Sequence, residues 1–207
     1  MEPRPEEIVE VASATPQPSP QRARPPVAPD NVRGLYRVEY EKLVELGLFN
    51  DQRVELLDGQ LVEMSPQSDA HSAIVRCLGR IFYDVRPHEL DISLHSGLRA
   101  GMKSMPEPDI AVIPRRSGRH HADEALLVVE VALSSLRNDR LIKSDIYAAL
   151  GVPEYWIVDV EHELVIVHTR PTVRGYQVIE QHERGATLRT SALPMLVVTV
   201  DDILDCP

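Results

Sequence analysis

The stretch Leu126-Leu-Val-Val-Glu-Val-Ala-Leu133 limits the possible folds of this chain more than any other. It is almost entirely apolar and rich in valine, the pattern of a strand buried on both faces of a sheet. One residue breaks it. Glu130 stands in the middle, and a charge there is costly unless it is paired or bound to a cation. Two explanations follow. Either Glu130 is neutralised by a basic residue such as Lys143 or Arg140, or it belongs to a metal site.

The elements around this strand define an α/β layer. Tyr40, Leu43 and Val44 recur at helical spacing, and Gly47 is placed to end that helix. Within Arg53-Val-Glu-Leu-Leu-Asp-Gly-Gln-Leu-Val-Glu-Met64 two apolar runs flank Asp58-Gly59, a strong hairpin signal. Residues 69–85 carry Ile74, Leu78, Ile81, Phe82 and Val85 at helical spacing between Pro66 and Pro87. Strands are predicted at 91–99, 109–113 and 126–133, and a helix at 138–150. That helix would be capped by Asn138 or Asp139, with Leu141, Ile142, Ile146, Ala149 and Leu150 as its apolar face. Further strands follow at 155–158, 164–168, 175–182 and 195–200, with Tyr155 and Trp156 read as core. This order of elements points to a mixed sheet flanked by helices, with an extra β-hairpin.

Composition narrows the function classes. Eight of the 17 prolines fall in residues 1–33, which have no aromatic residue, so this segment reads as a disordered arm ahead of one domain over 34–207. Cys77 and Cys206 make no disulfide framework and have no zinc spacing, and they favour a reducing, cytoplasmic setting. No apolar run approaches the roughly 20 residues of a membrane span. The net charge is -10 and the pI about 5.3, which argues against coating nucleic acid with a basic surface. An enzyme that meets phosphates through a metal ion is still compatible with it.

Four side chains could carry such chemistry. Glu130 and Asp109 would meet at one sheet edge if their strands are neighbours, and two carboxylates there suit Mg²⁺ or Mn²⁺. Asp109 follows Met105-Pro-Glu-Pro108 and, taken alone, reads more readily as a strand-entry or turn residue. Lys143 could stabilise charge on a phosphoryl oxygen or be a solvated helix lysine. Glu55, between Val54 and Leu56, could add a metal ligand, orient a metal-bound water or, equally, face solvent. His71 reads as polar surface more readily than as a phosphate contact. Arg115, Arg116, Arg119, His120 and His121 read as a surface loop that could alternatively hold a polyanion.

Read in order, Arg53-Val-Glu-Leu-Leu-Asp-Gly-Gln-Leu-Val-Glu-Met-Ser-Pro66, Pro108-Asp-Ile110, Val128-Val-Glu-Val131, Ser134-Ser-Leu-Arg-Asn-Asp-Arg140 with Lys143, and Gly151-Val-Pro-Glu-Tyr-Trp-Ile-Val-Asp159 resemble the Uma-type family of putative restriction endonucleases, over residues 36–204. The resemblance implies a restriction-endonuclease-like fold of the PD-(D/E)xK type, a divalent metal and cleavage of DNA phosphodiesters. It assigns Asp109 and Glu130 to the acidic motif and Glu55 to the upstream glutamate. The lysine usual two residues after the motif acid is replaced here by Ala132, and Lys143 from the following helix is the match. Leu133 departs from the polar residue common in relatives. A homodimer is the prior for a nuclease that cuts both strands. The alternatives are a catalytically inactive nucleic-acid-binding module and a protein-interaction module on the same fold.

Overall fold

The computed structural model describes residues 32–115, 121–133 and 139–206. The proline-rich arm expected over 1–33 lies outside these, apart from Val32 and Arg33. The chain divides into Met1–Val32 and Arg33–Pro207, and every element below belongs to the second unit.

Helix α1 spans Arg37–Glu45, and Glu39 in its first turn accepts the Tyr36 backbone N–H at 2.8 Å. Gly47 follows with φ 75°. Strands β1 (Val54–Leu57) and β2 (Gln60–Glu63) pair antiparallel as a separate hairpin. Its turn residues, Asp58 and Gly59, both have positive φ, 45° and 80°. The twist of a two-residue hairpin demands that conformation, and Asp-Gly tolerates it. Helix α2 (Asp69–Val85) starts where Ser68 Oγ accepts the His71 N–H at 3.2 Å.

The main sheet contains β3 (Leu90–Leu94), β4 (Ile110–Pro114), β5 (Leu127–Ala132), β6 (Glu154–Asp159), β7 (Leu164–Thr172) and β8 (Gly175–Glu183), in that spatial order. All neighbours are antiparallel except β5 and β6, which are parallel. A parallel pair needs a crossover. This one carries a π-helical turn, Asp139–Lys143, and helix α3, Ser144–Leu150. Two short strands, β9 (Thr187–Leu188) and β10 (Val198–Thr199), pair before helix α4 (Val200–Leu204).

Every residue of β5 and β6 is buried. On one face Val129, Val131, Trp156 and Val158 pack with Ile74, Leu78 and Phe82 of α2. Phe82 meets Trp156 edge-on, with centroids 6.2 Å apart. On the other face Val128, Ala132, Tyr155 and Ile157 pack with Tyr147 of α3. This is the mixed α/β sheet with an added hairpin that the pattern predicts.

Four local readings need correction. The strand expected at 91–99 ends at Leu94, because His95 turns with φ 44°. The strand expected at 195–200 is two residues long; Thr199 then caps α4 by accepting the Asp202 N–H at 3.0 Å. The helix expected at 138–150 begins with the π turn, and its proposed cap Asn138 lies outside the described residues. A π turn closes i→i+5 bonds and displaces the face of whatever follows. Leu141 and Ile142, read as apolar face, are therefore 59% and 40% exposed, while Lys143, Ser144, Tyr147 and Ala148 are buried. Finally, Cys77 and Cys206 form one disulfide across 129 residues, tying α2 to the segment after α4. That is no framework, but it departs from the reduced pair expected.

Candidate active site

The β4–β5 register pairs Ile110 with Val129. Asp109 immediately precedes β4, next to that paired end, and it lines the same cleft as Glu130. Glu130 follows the period of two that places it with Val128 and Ala132, on the face that α3 covers. It is 4% exposed. Its Oε1 accepts from Lys143 Nζ at 3.1 Å and from the Tyr147 hydroxyl at 2.8 Å. The π turn brings Lys143 in, so this lysine is 5% exposed rather than solvated.

Lys143 also reaches Glu55 Oε1 at 3.2 Å. Glu55 is 4% exposed, so of its two readings the inward one holds. Its Oε2 accepts the Glu107 backbone N–H at 3.0 Å, and the Glu107 carboxylate pairs with Arg53. The expected ion-pair partner of Glu130 is thus present in Lys143, and that lysine lies between two buried carboxylates.

Asp109 has a different environment. Its Oδ2 lies 2.9 Å from His71 Nε2 and accepts the Val131 N–H at 2.8 Å. His95 Nδ1 approaches Oδ1 at 3.4 Å, and Gln67 Nε2 lies 3.1 Å from the same ring nitrogen. Burial by itself would raise the Asp109 carboxyl. Hydrogen bonds from His71 and His95, the His71 charge and the Val131 N–H outweigh it and hold the group well below its ordinary value. Burial, reinforced by the Glu130 charge, pushes the Tyr147 hydroxyl well up, so it stays a donor.

Glu55, Asp109, Glu130 and Lys143 line one cleft of about 170 Å³ with Arg53, Glu63, Gln67, Ser68, His71 and Leu133. Among the described residues its wall carries the carboxylates of Glu55, Glu63, Asp109 and Glu130 together with Arg53 and Lys143. Carboxylates are hard oxygen donors of the kind a divalent cation takes. Among the described residues no three metal-ligating side chains form a ready cage, so an ion here would keep waters, as Mg²⁺ commonly does with one or two carboxylates.

His71 corrects a reading: it is buried at 7% exposure against Asp109, not polar surface. The sequence reading did not single out His95 or Tyr147. The π turn hides Tyr147 from helical projection, and nothing in the alternation of 91–99 marks His95 as a left-handed turn residue. Arg115 is exposed and contacts His88 at 3.3 Å, and His121 lies 3.5 Å from Ser96. Neither lines this cleft, while Arg116, Arg119 and His120 lie outside the described residues. The side chain of Arg140 is likewise outside them.

The chain matches a family model named Uma2, described as "Putative restriction endonuclease", over residues 37–201. Its fold matches the crystal structure of a putative nuclease belonging to DUF820 from Anabaena variabilis ATCC 29413. The TM-score is 0.62 and the identity 19%, covering 75% of this chain and 91% of that one. At that identity the likeness concerns fold alone. No curated protein matches the chain.

Proposed function

The chain belongs to the Uma2 family of restriction-endonuclease-like proteins, and from that premise we propose that it is a metal-dependent endonuclease that hydrolyses DNA phosphodiester bonds. The observation that carries this reading is the convergence of Asp109, Glu130, Glu55 and Lys143, from four segments of the chain, on one cleft. Asp109 and Glu130 are the proposed ligands of Mg²⁺ or Mn²⁺, with Glu55 as a further ligand or a group that orients water. When bound, the ion lowers the pKa of a water and offsets charge on the scissile phosphate. Lys143, held by two carboxylates, sits where it can offset charge on a phosphoryl oxygen. Hydrolysis joins the water oxygen to phosphorus and breaks the bond to the leaving oxygen, which takes a proton. Arg53 at the cleft wall is paired with Glu107, a partner that a DNA phosphate would replace.

Among the described residues no helix is long and apolar enough to cross a membrane. A cytoplasmic setting and a homodimer are parts of the same proposal. The Cys77–Cys206 disulfide is the feature that opposes a reducing compartment.

A second reading has its own support. Lys143 lies within ion-pair distance of both Glu55 and Glu130, so the site carries an internal counter-charge. A nucleic-acid-binding or protein-interaction module that does not cleave would need no metal. The test is the thermal midpoint with and without Mg²⁺ or Mn²⁺, followed by cleavage of plasmid DNA, for wild type and Glu130→Gln. Binding to the folded state alone must raise the midpoint. We expect a metal-induced rise and nicking in wild type, both lost in the variant. DNA cleavage retained by Glu130→Gln would remove the proposal, and absence of any metal response would favour the second reading.

A further inference from the structure

We propose that Tyr147 is a positioning residue for Glu130, its hydroxyl fixing the carboxylate in the orientation in which a divalent cation would meet it. The inference rests on the metal-dependent reading above. Tyr147 is fully buried, and it is absent from the cleft wall that Glu130 and Lys143 help to form. It therefore acts through Glu130 and not on substrate. Its hydroxyl donates to Oε1 at 2.8 Å, the same oxygen that receives Lys143 Nζ at 3.1 Å.

A glutamate carboxylate turns about a broad terminal torsion. Two donors on one oxygen oppose that rotation and hold Oε1 at Lys143 and Tyr147. The two donors differ in what holds them. Lys143 divides its ammonium between Glu130 and Glu55. The Tyr147 ring is held by packing, 5.0 Å from the Tyr155 ring, and its hydroxyl meets Glu130. Hydrogen bonds of this kind to ligating carboxylates commonly set metal affinity.

The experiment follows the thermal midpoint of the full chain against Mn²⁺ concentration. It uses wild type, Tyr147→Phe, Glu130→Gln and Tyr176→Phe. Tyr176 belongs to the same aromatic cluster, but its hydroxyl donates to the Val152 carbonyl at 2.9 Å. Phenylalanine at 147 keeps the ring and deletes only the donor. The Mn²⁺ concentration for half the shift is expected to rise about 10- to 100-fold in Tyr147→Phe. It should stay at the wild-type value in Tyr176→Phe, whatever happens to that variant's metal-free midpoint, and no shift should remain in Glu130→Gln. Should Tyr147→Phe melt too low for this readout, calorimetric Mn²⁺ titration in the cold replaces it. Half-saturation at the wild-type concentration in Tyr147→Phe would overturn the inference while leaving the metal reading intact. No Mn²⁺ response in wild type would overturn both.

Discussion

Replacing Lys143 with methionine tests the buried charge arrangement directly. Methionine keeps most of the stem and removes the ammonium. Glu130 and Glu55, each 4% exposed, lose the cation now 3.1 and 3.2 Å away. The Tyr147 hydroxyl and the Glu107 N–H remain as donors to them. Breaking a buried ion pair from one side costs about 3–5 kcal/mol, because the stranded charge stays desolvated. At a urea slope of about 2 kcal/mol/M, the unfolding midpoint should fall by roughly 1.5–2.5 M. Trp156, the single tryptophan and fully buried, reports the transition by fluorescence. Adding Glu130→Gln removes one of the two carboxylate charges that Lys143 offsets, so the double variant should be less destabilised than the sum of the singles, by about 0.5–3 kcal/mol. A loss below about 1 kcal/mol with additive singles would mean that the pair is worth no more than a solvated surface bridge, and would refute the reasoning.

Two further outcomes are expected. Burial raises the Glu154 carboxyl above its usual value, against the opposing hydrogen bonds from Thr190 and Trp156. A raised acid stabilises the fold fully below its unfolded pKa of about 4.3, and that stability is lost as pH rises through the folded value. Glu154→Gln cannot ionise, so its urea midpoint should gain on wild type between pH 4 and 7.5, and a pH-independent difference would contradict this. Cys206→Ser opens a loop of 129 residues. In the chain-entropy view this lowers stability by up to about 5 kcal/mol. Dithiothreitol should bring wild type to the variant's midpoint, whereas equal midpoints with and without reductant would remove the disulfide's contribution.

Much of the fold was legible because local chemistry and tertiary context agree. Val54–Glu63 reads as a hairpin since Asp58 and Gly59 accept the left-handed backbone that its turn requires. Helix α2 shows its periodicity because one face packs on the sheet while the other meets water. Helix α1 was located correctly, yet of its expected apolar face only Tyr40 is buried; Val44 is 46% exposed. The crossover to β6 was misread in phase. Leu141 and Ile142 are apolar and look inward on an α-helical projection, but the π turn inserts a residue into that count. Its consequence is chemical, since the inward face becomes Lys143 and Tyr147.

Asp109, Glu130, Glu55 and Lys143 were each identifiable as residues that could carry chemistry, because charge type and strand position are local properties. Whether any of them is buried, and against what, is not local. Glu55 was balanced between solvent and site until the hairpin met the Glu107 backbone. His71 became an Asp109 partner only because α2 begins beside the β4–β5 edge, and His95 reached the same carboxylate by turning left-handed after β3. Sequence by itself therefore determined the α/β class, the all-buried strand and the acidic residues, since propensity and periodicity act over a few neighbours. Only the tertiary structure decided which cations neutralise those acids. Coulomb and hydrogen-bond energies depend on distances between segments far apart in the chain, and those distances exist only once the sheet has closed.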